Sequence, residues 1–172
     1  MNAIRRVLMG SGLLFVGAGL LTASGCARIR HPAEALQPPT VIGSATEAHW
    51  TETTWESAST PLHRKTLERG RVVTITGEVV DVSCYLQLGK RGEAHIPCGQ
   101  KCVRTGQPIG LVTDRGQLYL LISEEHHPRR DGTASLRDRF ADLMGRRVTV
   151  SGMLQRQNGY RAIFVLTLPK AS

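Results

Sequence analysis

"RVVTITGEVVDVSC", Arg71 to Cys84, is the stretch that decides the fold. Its β-branched residues suit the pleated, half-buried surface of a sheet better than a helix, where their χ1 freedom is lost. The stretch predicts one long strand that ends at Cys84. Gly77 in its middle predicts a bend or bulge.

Downstream the same texture returns in pairs. "PIGLVTDRGQLYLLIS", Pro108 to Ser123, predicts a hairpin, with two apolar runs flanking Asp114-Arg115-Gly116. "SLRDRFADLMG", Ser135 to Gly145, has a helical stripe in which Leu136, Phe140 and Leu143 recur at spacings of four and three. Thr133 or Ser135 can cap its start and Gly145 can end it. "RRVTVSGMLQRQNGYRAIFVLTLP", Arg146 to Pro169, predicts a second hairpin turning on Asn158-Gly159.

The order is therefore strand, cysteine-rich insert, two strands, helix, two strands. It resembles the OB-fold, a five-stranded Greek-key barrel in which a helix plugs one end. The expected fold is all-β with one helix, over 70–172, with the insert at 84–106. OB-folds often hold single-stranded nucleic acid by stacking bases on exposed aromatics. Phe140 and Phe164 fall on apolar faces here, which leaves Tyr85, Tyr119 and Tyr160 as platforms. Fold analogy alone does not carry that function, and nucleic acid is not an expected partner.

Upstream of the barrel the composition changes. From Ala27 to about Glu68 the chain is rich in Pro, Thr, Ser, Ala and Glu and has little aliphatic periodicity. Residues 26–69 are therefore expected to form a mostly disordered tether. Pro61 can open one or two helical turns before Gly70. Trp50 and Trp55 interrupt the polar run, and the expectation is that they fold back to cover an edge of the domain.

The chain opens "MNAIRRVLMGSGLLFVGAGLLTASGC". Arg5 and Arg6 precede an apolar, glycine-containing run from Val7 to about Leu21, too short for a comfortable membrane span. Residues 1–25 are read as a secretory signal. "ASGC" resembles a bacterial lipoprotein box, with Ala23 where that family usually has leucine. The resemblance implies acylation of Cys26, palmitate included, and anchoring on the extracytoplasmic side of a membrane. Ala27 lacks the aspartate that retains lipoproteins in an inner membrane, which implies the periplasmic face of the outer membrane in a Gram-negative cell.

The formal charge is +8 and the isoelectric point about 9.9. No basic run is long enough to make a dedicated patch, so the excess reads as a solvated surface. Outside the cytoplasm its counterparts are anionic headgroups, wall polymers or an acidic partner.

"CYLQLGKRGEAHIPCGQKC", Cys84 to Cys102, holds three of the four cysteines and His95. Pro97 predicts the start of a short helix running to about Thr105, since its missing N–H costs nothing in a first turn. Cys98 and Cys102, four apart, then share one face. Cys84, His95, Cys98 and Cys102 make a closed set of three thiolates and an imidazole, suited to zinc, with Cu(I) or iron as other occupants. An oxidising compartment instead favours a disulfide from Cys84 to Cys98 or Cys102, leaving an odd thiol. Thiol redox chemistry is a third reading, although no Cys-x-x-Cys pair is present. "SEEHHP", Ser123 to Pro128, brings His126 and His127 beside carboxylates; it reads as a solvated loop, with a second metal site or general base as the alternative.

"GEVVDVSCYLQLGKRGEAHIPCGQKCVRTGQPIGLVTDRGQLYLL", Gly77 to Leu121, also resembles a group of small bacterial extracytoplasmic proteins. They share a Cys-Tyr pair, a histidine, two further cysteines and a Gly-x-Pro-(Ile/Val)-Gly-Leu strand start. The resemblance implies fold and location and no activity. The expected function is a metal-binding accessory module, with a disulfide-pinned module that recognises a protein or glycan partner as the alternative. No catalytic residue is assigned.

Overall fold

A computed structural model of the chain describes residues 38–124 and 136–166. Cys26, His126, His127 and the cap residues Thr133 and Ser135 lie outside the described residues, so the expectations for them rest on sequence alone. Six strands are described: β1 (Thr40–Ile42), β2 (Arg71–Asp81), β3 (Ile109–Val112), β4 (Leu118–Ser123), β5 (Arg147–Gln157) and β6 (Tyr160–Val165). Helices are α1 (Glu52–Ser57), α2 (Pro61–Glu68), α3 (Val82–Leu88), α4 (Ile96–Arg104) and α5 (Leu136–Ala141), with a 3-10 turn at Glu93–His95.

The sheet runs β1-β5-β2-β3-β4-β6, and β5 also pairs with β6, so β2 to β6 close into an OB-like barrel. Closure depends on two strands that change partners. β2 pairs with β5 over Arg71–Glu78 and with β3 over Glu78–Asp81. The switch falls at Glu78, the residue after Gly77, the expected place of a bend or bulge. A Cβ at Gly77 would sit 2.7 Å from the Val112 carbonyl oxygen, so only glycine lets β3 come this close. β5 makes the matching change, from β2 over Arg147–Leu154 to β6 over Met153–Gln157. Asn158 and Gly159, at φ 51° and 83°, form the tight turn between β5 and β6. β4 and β6 pair in parallel, the one parallel contact within the closed barrel.

The core is apolar and continuous. Val79, Leu111, Phe140, Val148, Val150, Ile163 and Val165 are fully buried in one cluster. Leu136 and Leu143 pack against it from the α5 segment, which realises the predicted stripe.

The segment before β2 departs from the tether expected over 26–69. β1 adds to β5 in parallel, with Thr40, Val41 and Ile42 opposite Val148, Thr149 and Val150. Ile42 is 2 % exposed and belongs to the core cluster. Trp50 folds back as expected. Its ring meets Phe164 edge-on at 5.0 Å, and its Nε1 donates to the Leu67 carbonyl at 3.0 Å. Trp55 remains exposed. Glu124, fully buried at the end of β4, accepts from the Thr51 backbone N–H at 2.8 Å and from its hydroxyl at 3.2 Å. Thr51 is also the N-cap of α1, so this carboxylate fixes α1 to the barrel. Glu124 is therefore not part of a solvated loop, contrary to the reading of Ser123 to Pro128. β1 and α1 escape the sequence reading because a strand of three residues and a helix of six are too short to display a period, whereas α2 starts at Pro61 as expected.

This attachment is testable at one methyl group. Ile42→Val should cost about 1 kcal/mol of unfolding free energy. Urea denaturation checks it, and an unchanged midpoint would mean that Ile42 lies outside the core.

Candidate metal centre

The strand expected to end at Cys84 ends at Asp81, and Cys84 instead lies in the first turn of α3. Asp81 is the reason. Its Oδ1 accepts from the Ser83 backbone N–H at 2.9 Å, which satisfies one of the free donors of a helix start. The helix turns the Cys84 thiol back over the end of β2. Ser83 reaches across through its hydroxyl to Gln107, and Val82 N–H donates to the Pro108 carbonyl, so α3 is tied to the start of β3.

The loop that follows is held to the barrel by Glu78. Its Oε2 accepts from Arg91 Nε at 2.9 Å, and its Oε1 accepts from the Gly92 backbone N–H at 2.6 Å. Glu78 is on β2, so it places the turn Glu93–His95 directly beside the strand that leads to Cys84. α4 then starts at Ile96 with Pro97 in its first turn, one residue from the predicted start. It packs on α5 and on β2. Gly99 allows the approach, because a Cβ there would lie 2.9 Å from Met144 Cγ and 3.4 Å from His95 Cδ2. The His95 ring thus lies close against Gly99 of α4.

These elements bring every residue of the predicted set into one region, as two groups that share a member. Ligand atoms of Cys84, His95 and Cys98 lie within 4.8 Å of one another. So do those of Asp81, Cys84 and Cys102. Asp81 was not anticipated. The available signal was its position, an aspartate three residues before a cysteine at the end of a strand, which reads equally as a helix cap. Cys98 is exposed, Cys84 and Cys102 are half-buried, and His95 is 6 % exposed.

Two buried atoms here lack ordinary partners. His95 Nε2 has no hydrogen-bond partner among the described residues, and Asp81 Oδ2 receives no N–H or O–H donor. An unpaired buried polar group costs of the order of 1–3 kcal/mol, so two beside three thiols mark a place where ligand bonds can replace hydrogen bonds. The thiols feel the same crowding. The Asp81 carboxylate, drawing the thiol proton toward itself, pushes Cys84 up to about 12, with burial adding to the effect. Burial raises Cys102, helped by Cys98 and then by Asp81.

Elsewhere, a groove of about 330 Å³ is lined by Trp50, Ala58, Leu67 and Phe164 and shares no residue with this cluster. Of the aromatics considered as base-stacking platforms, Tyr119 is buried, and Tyr160 is 70 % exposed on the β5–β6 turn. Compared with protein-family models, with curated proteins and with solved structures, the chain matches none.

Proposed function

We propose that this chain is a metal-binding accessory module of the cell envelope. It is tethered to a membrane by a lipid on Cys26 and takes a thiophilic cation at Cys84, His95, Cys98 and Cys102. The observation that carries this reading is the buried imidazole of His95, unpartnered at Nε2 and within 4.8 Å of two thiol sulfurs. A core histidine without a ligand role normally finds a hydrogen bond. Soft sulfur and borderline nitrogen donors select zinc, with Cu(I) or iron as competitors, over the hard cations held by oxygen. The role is binding or carriage, and the membrane is reached through the lipid anchor.

The disulfide reading retains one specific support: Cys84 lies within 4.8 Å of both Cys98 and Cys102. A bridge from it to either would pin α3 to α4 and leave one thiol, in a module that recognises a protein or glycan through its barrel. Elemental analysis with a thiol count separates the two readings, using anaerobically purified chain carrying Cys26→Ser. Metal binding predicts three titratable thiols once the ion is chelated, and Cys98→Ser should remove most of the metal. One disulfide, one thiol and no uptake of zinc or Cu(I) would leave the staple.

A further inference from the structure

Five donors are too many for one tetrahedral ion, and their arrangement is not that of one shell with a spare. Cys84 belongs to both groups, while His95 and Cys98 appear in one and Asp81 and Cys102 in the other. Asp81 has no exposed surface and directs an oxygen that has no N–H or O–H donor among the described residues at the region of Cys84 and Cys102. The basic side chains nearby in sequence point elsewhere. Arg91 pairs with Glu78 and Arg104 with Asp142, while Lys90 and Lys101 are exposed.

Charge then decides how many ions suit the site. One divalent ion bound by three thiolates leaves a net negative centre, and a buried carboxylate beside it adds a second negative charge. Buried charge without compensation is expensive. Three thiolates and one carboxylate carry four negative charges, which two divalent cations balance, with His95 neutral. A thiolate has lone pairs enough to bridge two ions.

We infer that the site is binuclear: Cys84 bridges two divalent thiophilic cations, one held also by His95 and Cys98, the other by Asp81 and Cys102. This rests on the metal-binding reading and extends it from one ion to two. Each ion then has three protein donors and one position for water or an exogenous ligand, unlike the closed shell of a single-ion Cys3His site.

The test is a titration of the full chain carrying Cys26→Ser, reduced and anaerobic, with Cd2+ followed by native mass spectrometry. Two ions per chain are expected. Asp81→Asn should lower the count to one; asparagine still caps a helix, so α3 should persist. His95→Ala should remove the other ion, and Cys84→Ser both. A far-ultraviolet spectrum unchanged in Asp81→Asn excludes unfolding as the cause. One ion per chain in the parent overturns the binuclear site and leaves the single-ion reading intact. Two ions that survive Asp81→Asn also overturn it, by removing Asp81 from the shell. No ion at all overturns both readings.

Discussion

Replacing Phe140 by alanine should cost about 3–5 kcal/mol, enough to unfold a large fraction of a domain of ordinary stability. Phe140 is at 0 % exposure and is the largest of the fully buried side chains among the described residues. It reaches the core from α5, a helix of only six residues. Such a helix has little stability of its own, and packing must supply most of it. Loss of the ring therefore removes transfer free energy, opens a cavity in the core cluster, and releases the helix that supports α4. Phe140→Leu, which keeps much of the volume, should cost distinctly less. Equilibrium urea unfolding followed by circular dichroism gives both values. A cost under 1 kcal/mol for the alanine variant would place Phe140 outside the barrel. The same experiment bears on the metal centre, since α4 carries Cys98 and Cys102 and rests on α5. Metal affinity should fall in Phe140→Ala even where the protein is still folded.

The barrel was legible in the sequence because its signals are local. Asn158-Gly159 announces a tight turn from two residues, and Gly77 stands one residue before the point where β2 leaves β5 for β3. Leu136, Phe140 and Leu143 give the helical stripe at the right place. What the sequence concealed depends on long-range contacts. Ile42 looks like a stray aliphatic residue in a polar run, and only its place opposite Val150 makes it core. Thr51 and Glu124 are joined across 73 residues, with no pattern in either segment to suggest it.

The site divides in the same way. Cys84, His95, Cys98 and Cys102 stood out because their side-chain chemistry is unusual, and the Pro97 start of α4 followed from the rule that proline suits a first turn. Asp81 did not stand out, because a carboxylate at a strand end has many ordinary uses. Its cap bond to Ser83 is one of them, and it employs only Oδ1. The other oxygen acquires meaning only when α3 folds back and sets Cys84 and Cys102 against it. A strand continued to Cys84, as the run of valines suggested, would have carried that thiol away from Asp81, since successive strand residues alternate faces. Helix α3 keeps the two together.

The affinity for metal should rise steeply with pH, by at least about a hundredfold per unit through the neutral range, because at least the protons of Cys84 and Cys102 must leave before the sulfurs can bind. Cys84, pushed up to about 12 by the Asp81 carboxylate, is protonated in the metal-free fold at pH 7. Cys102, raised first by burial, is protonated as well. Each proton displaced contributes a factor of about ten per pH unit below the thiol's own pKa, so the two together set the lower bound of the slope. The metal-free fold has the opposite dependence. A thiol whose folded pKa lies above its ordinary value of 9.0 lends stability that is fully present below pH 9 and is lost as pH rises toward about 12. Metal-free protein should thus grow less stable in alkali, while metal-loaded protein gains on going from pH 6 to 8. Competition against a chelator of known protonation constants, at pH 6, 7 and 8, measures the first slope; thermal unfolding with and without metal measures the second. A disulfide from Cys84 to Cys98 or Cys102 has no such protons to release. Affinity that changes by less than tenfold between pH 6 and 8 would show that these thiols are not the ligands.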